Sequence, residues 1–305
     1  MPRTNSRRPT SRWKSPSSAP KSVKGIVQAE LRRTDADDSE RLIVSRGDDI
    51  RLQLGRGERQ FVSGLWQVGI RKDGAELFPV GPWEENCWHS DQDVDYLELE
   101  LPLDEGYRLQ RQMLLAREGQ FLWLADAVLA PPRAAGENPQ HPKPRLDYSS
   151  WLPLAADISF QPAEETHEGV LKYKKKVQAT VLPVAFPEWR AEQFAGELSV
   201  AENQLQLKQT VQGDNVYAPL FIDLDPDRVK KPVTWRRLTV AENLHSVPRD
   251  VAAGFRVQAG KDQWVFYQAL AGHGNRTVLS HNTAYEFCAL RFSPKGKLQT
   301  ILEIE

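Results

Sequence analysis

The sequence predicts an all-β protein, a large antiparallel β-sandwich of many short strands with a disordered basic N-terminal tail. Three observations carry that expectation. Short segments alternating apolar and polar residues recur from Ile26 onward between turn residues, a spacing that suits a sandwich or barrel better than alternating strand–helix units. Helical patterning is confined to FPEWRAEQF at 186–194, which predicts a helix of at most two turns. Finally, residues 107–129, YRLQRQMLLAREGQFLWLADAVL, read as two apolar strands around a short turn, each with one charge in its core-facing row.

That hairpin sets a register. With Glu118-Gly119 at the turn, opposed residues have numbers summing to 237, which places Arg111 opposite Asp126. One row holds Leu109, Arg111, Met113 and Leu115 with Leu122, Leu124, Asp126 and Val128; the other holds Arg108, Gln110, Gln112 and Leu114 with Phe121, Trp123, Ala125 and Ala127. The first row is the better core candidate. A lone carboxylate there would be costly, so Arg111 and Asp126 are expected to form a structural ion pair. A carboxylate so paired stays ionised, which argues against a catalytic role for Asp126.

The elements follow in chain order. Residues 1–25 hold seven Lys and Arg and no acid, a charge of +7 against −8 for the remainder, and their Ser, Pro and basic composition predicts disorder. Residues 26–130 form a first group of strands, with Lys72-Asp73-Gly74 as a hairpin turn. Residues 131–147 open with PPRAAGENPQHPKP, five prolines in fourteen residues, and read as an extended connection. Residues 148–305 form a second strand group packed into the same sandwich, closing on a hairpin turned at Ser293-Pro294-Lys295-Gly296. VAEN occurs at 200–203 and 240–243, but the flanks do not align and no repeat is inferred.

Composition bounds the function. A chain of 305 residues with 40% hydrophobic content and nine Trp can bury a sizeable core. The first 25 residues contain no apolar stretch of a secretory signal and no spanning run of about 18 apolar residues occurs, so a cytoplasmic protein without a membrane partner is expected. The two cysteines, Cys87 and Cys288, make neither a disulfide framework nor a zinc cage. The basic tail has one aromatic, Trp13, and no amphipathic period, which argues against a nucleic-acid partner.

Familiar catalytic strings are broken. His167-Glu168 starts like a zinc-protease motif but has Leu171 where the second histidine belongs; Gly254 to Lys261 is a misspaced phosphate loop; Gly272-His273-Gly274 lacks a third glycine. No cofactor is implied. Two constellations remain. In GPWEENCWHSDQDVDY, Trp83 and Trp88 with Asp91 and Asp93 could contact a carbohydrate, stacking rings on C–H groups while carboxylates accept hydroxyl hydrogens. The competing reading is a packed loop with solvated acids. Calcium at Asp91, Asp93 and Asp95 is disfavoured because Tyr96 and Pro102 occupy the Gly and Glu positions of a calcium loop, so no metal site is assigned. In AGHGNRTVLSHNTAYEF, His273 and His281, with Asn282 as a ligand contact, could serve as general acid and base, with His89 as an alternative candidate; the competing reading is loop-bracing hydrogen bonds.

The rhythm LQRQMLLAREGQFLWLADAVL, with Arg on one strand and Asp on the next, resembles the β-sandwich domain of heparinase II/III-like polysaccharide lyases, and RLTVAEN and AGFRVQAGKDQWVFYQAL fit a later part of such a sandwich. The resemblance implies a sandwich and a carbohydrate connection. Those lyases carry most of their catalytic Tyr, His and Asn residues on a helical toroid, for which this chain has neither length nor helical periodicity, so no catalytic residue carries over. The leading expectation is therefore a non-enzymatic binding or scaffolding module for a carbohydrate or polyanion. The alternative is a lyase-like or epimerase-like enzyme using His89, or His273 and His281, as acid and base.

Overall fold

The computed structural model describes residues 15–23, 26–132, 142–229, 231–293 and 295–305. Its centre is an antiparallel sheet of eight strands, in the order Ile158–Pro162, Gly169–Tyr173, Lys176–Pro183, Val216–Asp223, Phe121–Leu129, Arg108–Ala116, Val94–Pro102 and Glu84–Ser90. The predicted hairpin forms its middle, and every one of its nine opposed pairs sums to 237, across a four-residue turn at 117–120. The sheet draws strands from both sides of the 131–147 connection, because Phe121–Leu129 pairs with Val216–Asp223.

Both faces of this hairpin are buried, and that corrects the expectation of a single core-facing row. From Leu109 to Ala116 and from Phe121 to Leu129 every residue is buried. The Arg111 row faces a five-stranded sheet built from Gly196–Ala201, Gln204–Gln212, Arg145–Pro153, Gln67–Lys72 and Ala75–Glu76; Tyr148 of that sheet donates its hydroxyl to Asp126 Oδ2 at 2.8 Å. The Trp123 row faces another, built from Val233–Leu238, Ala252–Ala259, Asp262–Ala269, Phe287–Phe292 and Leu298–Ile304, with the Trp123 and Phe266 rings stacked 4.0 Å apart. A second sheet was needed because Phe121 and Trp123 on this row would otherwise leave large aromatic surface in water.

Two further sheets complete the fold. A five-stranded meander runs from Ser18–Val23 through Ile26–Arg32, Glu40–Arg46 and Ile50–Arg56 to Arg59–Leu65, and a four-stranded sheet comprises His245–Ser246, Val240–Glu242, Arg276–Val278 and His281–Thr283. Asp73 and Gly74, with φ of 49° and 88°, make the expected two-residue turn between Lys72 and Ala75.

Two local expectations fail. The 186–194 segment is not a helix: its backbone instead pairs across to 165–167 through His167 N to Glu188 O at 3.0 Å and Arg190 N to Glu165 O at 2.9 Å. The tail assignment is too long, since Ser18–Val23 is a strand paired with Ile26–Arg32; residues 1–14, 24 and 25 lie outside the described residues, as do 133–141 of the proline-rich connection.

Candidate functional site

The structure places Arg111 and Asp126 in a bidentate contact, with Nε and Nη2 each 2.8 Å from a carboxylate oxygen and both side chains fully buried. Arg111 Nη1 also donates to the Trp66 carbonyl at 2.9 Å, and its guanidinium lies 3.8 Å from the Trp66 ring centre and 5.0 Å from that of Trp83. Every polar atom of the pair thus has company, which is what makes a buried charge tolerable. Trp83, 7% exposed, belongs to this core cluster and not to a ligand surface.

The other residues singled out from the sequence do not converge. The 82–96 stretch is mostly strand: Glu84–Ser90 edges the central sheet, and Trp88 packs against the core. His89 Nε2 lies 3.0 Å from Asp91 Oδ2, while Asp91 Oδ1 accepts the N–H groups of Asp93 and Val94 and so shapes the turn. Burial pushes the Asp91 carboxyl up, but the hydrogen bonds from His89 and these amides outweigh it and hold the group below its usual range. Asp93 approaches Arg291 at 3.7 Å. In the four-stranded sheet, His281 sits beside the turn at Leu279-Ser280, 3.5 Å from Glu303, and Asn282 accepts from Thr277 Oγ1 at 2.6 Å. His273 precedes the opposite end of the same hairpin. Among the described residues no group of three or more His, Cys, Asp or Glu side chains could hold a metal ion.

Four clefts among the described residues compete as ligand sites, and the state of their arginines separates them. The largest of these four, about 1450 Å³, includes His273 but is bordered by Pro132 and Pro142, next to the stretch outside the described residues. A second, about 760 Å³, is lined by Lys261 and by two arginines that are already matched: Arg228 contacts Asp223 and Asp225, and Arg291 contacts Glu118. A third, about 420 Å³, shares Arg228 and Asp223 as a matched pair; the fourth, about 440 Å³, differs. It is lined by Trp189, Arg236, Arg237 and Arg249 together with Glu188 and Glu192, and among the described residues no ion pair joins any of the three arginines to a carboxylate.

This groove is assembled from two segments far apart in sequence. Glu188 Oε2 accepts from Thr234 Oγ1 at 2.6 Å, and Trp235 Nε1 donates to the Phe186 carbonyl at 3.0 Å, stitching the 186–194 segment to the edge strand Val233–Leu238. A bridge to Thr166 fixes the Trp189 backbone while 48% of the residue remains exposed. Arg237 Nη2 donates to the Arg249 carbonyl at 3.3 Å and its guanidinium lies 5.8 Å from the Phe255 ring centre. Burial, with the Arg249 charge beside it, lowers Arg237 to about 10, and Asp250 offsets this only in part. Three arginines and two carboxylates, Glu188 and Glu192, thus share one groove with the half-exposed Trp189. Sequence reading missed the site; its signal was the pair of strings EWR at 188–190 and TWRR at 234–237, each setting Trp beside Arg.

No family model and no curated protein matches this chain. Solved structures do. A heparinase III gene product superimposes with a TM-score of 0.51 at 10% identity, over 83% of this chain and 42% of that one. A mutant of the heparan sulfate lyase HepC from Pedobacter heparinus gives 0.51 at 11% identity, over 81% and 42%. The shared feature is the β-sandwich fold. This chain spans about two fifths of the length of the solved structures it matches, and a fold held in common does not transmit activity.

Proposed function

We propose that this chain is a non-enzymatic β-sandwich binding module whose groove holds an anionic carbohydrate. The observation that carries this reading is the set of three arginines without ion-pair partners among the described residues, Arg236, Arg237 and Arg249, in one groove with the half-exposed Trp189, where they outnumber the carboxylates Glu188 and Glu192. Guanidinium groups take sulfate or carboxylate oxygens in paired hydrogen bonds, and an indole face suits the C–H side of a sugar ring. The fold likeness to a protein named as a heparan sulfate lyase supports the same ligand class.

The test is binding of a sulfated polysaccharide, followed by thermal shift and titration calorimetry against a neutral polysaccharide control. The sulfated chain is expected to raise the melting temperature and the neutral one to leave it unchanged, with affinity falling as salt rises. Trp189→Ala and the pair Arg236→Ala with Arg249→Ala should each weaken binding by about tenfold or more, the scale of one well-placed contact. Equal response to both polysaccharides, or binding untouched by these changes, would remove the groove from consideration.

A further inference from the structure

The outermost strand of the meander differs from those it covers. In Ser18–Val23, Ser18, Ala19, Lys21 and Ser22 are exposed and Pro20 is half-buried, so these five residues add little apolar burial. Its register with Ile26–Arg32 slips between Ser18 and Lys21, around Pro20. What anchors it lies just before it. Ser17 Oγ donates to Asp95 Oδ2, and Ser15 Oγ is 2.6 Å from Ser90 Oγ. Asp95 is fully buried at the start of a central-sheet strand and also accepts from Arg32 N at 3.0 Å, from Ser90 Oγ at 2.6 Å and from Arg117. A segment with few apolar contacts and a hydroxyl latch sits at the low-stability end of a fold.

The composition of this strand is that of a cover. Pro20 has no N–H to offer and Lys21 places a charge on the edge, two devices that stop a further strand from adding. The strand beneath has no proline, and its charges, Glu30 and Arg32, pair with each other at 3.3 Å. Ile26–Arg32, IVQAELR, is seven residues of uninterrupted alternation, with Ala29 and Leu31 buried and Ile26 and Gln28 exposed. Uncovered, its row of backbone groups is a template for pairing.

We propose that Ser18–Val23 is a releasable cover latched by Ser17 on Asp95, and that its release lets Ile26–Arg32 pair antiparallel with the same strand of a second copy of this chain. The sequence is self-complementary about Ala29. That register sets Val27 against Leu31, Gln28 against Glu30 and Ile26 against Arg32, so no like charges are directly opposed. A two-fold contact of this kind closes on itself and stops at a dimer.

The experiment uses the full chain. Ser17→Asp sets a second carboxylate against Asp95 and should release the cover. At dilute protein, the Ile26–Arg32 amides should then exchange hydrogen on the order of tenfold faster or more, and with rising concentration the mass by light scattering should double. Adding Gln28→Lys and Glu30→Lys, which face each other across the proposed dimer, should return the mass to that of one chain while dilute exchange stays fast. Unchanged exchange in Ser17→Asp would overturn the latch; fast exchange at single-chain mass throughout the concentration series would overturn the self-pairing. A doubled mass indifferent to the lysines would also overturn it. If Ser17→Asp loses the folded state, Ser17→Ala decides, with the same pattern expected at smaller amplitude and wild-type exchange counting against the proposal.

Discussion

The two faces of the central hairpin bury polar groups in opposite ways. On one, Arg111 and Asp126 meet as a charge pair, satisfied further by the Tyr148 hydroxyl and the Trp66 carbonyl. On the other, a single carboxylate, Glu98, sits 1% exposed without a cation and is held by neutral donors: Tyr96, Asn86, Gln110 at 3.0 Å and Gln112 at 3.1 Å. Gln112 also donates to Gln268 of the covering sheet at 2.7 Å and accepts from the Tyr217 hydroxyl at 2.8 Å. The first face solves burial by local charge matching between neighbouring strands, the second by an amide network spanning two sheets.

Removing one partner should hurt the charge-matched face most. Asp126→Ala strands Arg111 in the core and is expected to lower stability by about 3–5 kcal/mol in urea unfolding, whereas replacing both residues with apolar ones of similar volume should recover most of the loss. A loss below about 1 kcal/mol from Asp126→Ala would mean that Trp66 and Trp83 hold the guanidinium unaided. On the other face, Gln112→Ala removes one donor to Glu98 and the link to Gln268, with an expected loss of about 1–3 kcal/mol.

The faces should also part in their pH response. Burial raises the Glu98 carboxyl above its usual 4.5, against hydrogen bonds from Tyr96, Asn86 and Gln112 that favour the ionised form. Between the unfolded and folded values the folded state holds more protons, so this stabilisation is complete below the unfolded value and is lost as pH rises through the folded one. Stability of the wild type relative to Glu98→Gln should therefore fall as pH rises above about 4.5; an unchanged difference in urea titrations from acid to neutral pH would exclude the effect. The smallest change belongs to the surface. Arg236→Ala, exposed and without a carboxylate partner, should alter stability by no more than about 0.5 kcal/mol while weakening ligand binding.

Legibility in the sequence followed the same division. The Arg111 face was readable because its partners are adjacent strands of one hairpin and the side-chain period is two. Trp83 and Trp88 were harder: nothing in GPWEENCWHSDQDVDY reveals that Glu84–Ser90 edges the central sheet or that Arg111 claims the Trp83 ring. The three candidate histidines share a residue type and a loop-like setting, yet His89 partners Asp91 and His281 partners Glu303 on separate sheets. The 186–194 stretch has helical composition, but its backbone pairing to 165–167 and its stitch to strand Val233–Leu238 override that local preference.

By itself the sequence determined the all-β class, the antiparallel hairpin with its register, and the pairing of Arg111 with Asp126, because alternation and turn length are local properties. Only the tertiary structure decided that the hairpin is covered on both faces, that Gln112 meets Gln268, and that Trp189 joins Arg236, Arg237 and Arg249 in one groove. Those contacts depend on which distant strands share a sheet and which sheets stack, and a strand's own pattern of two records that a face is buried without recording what buries it.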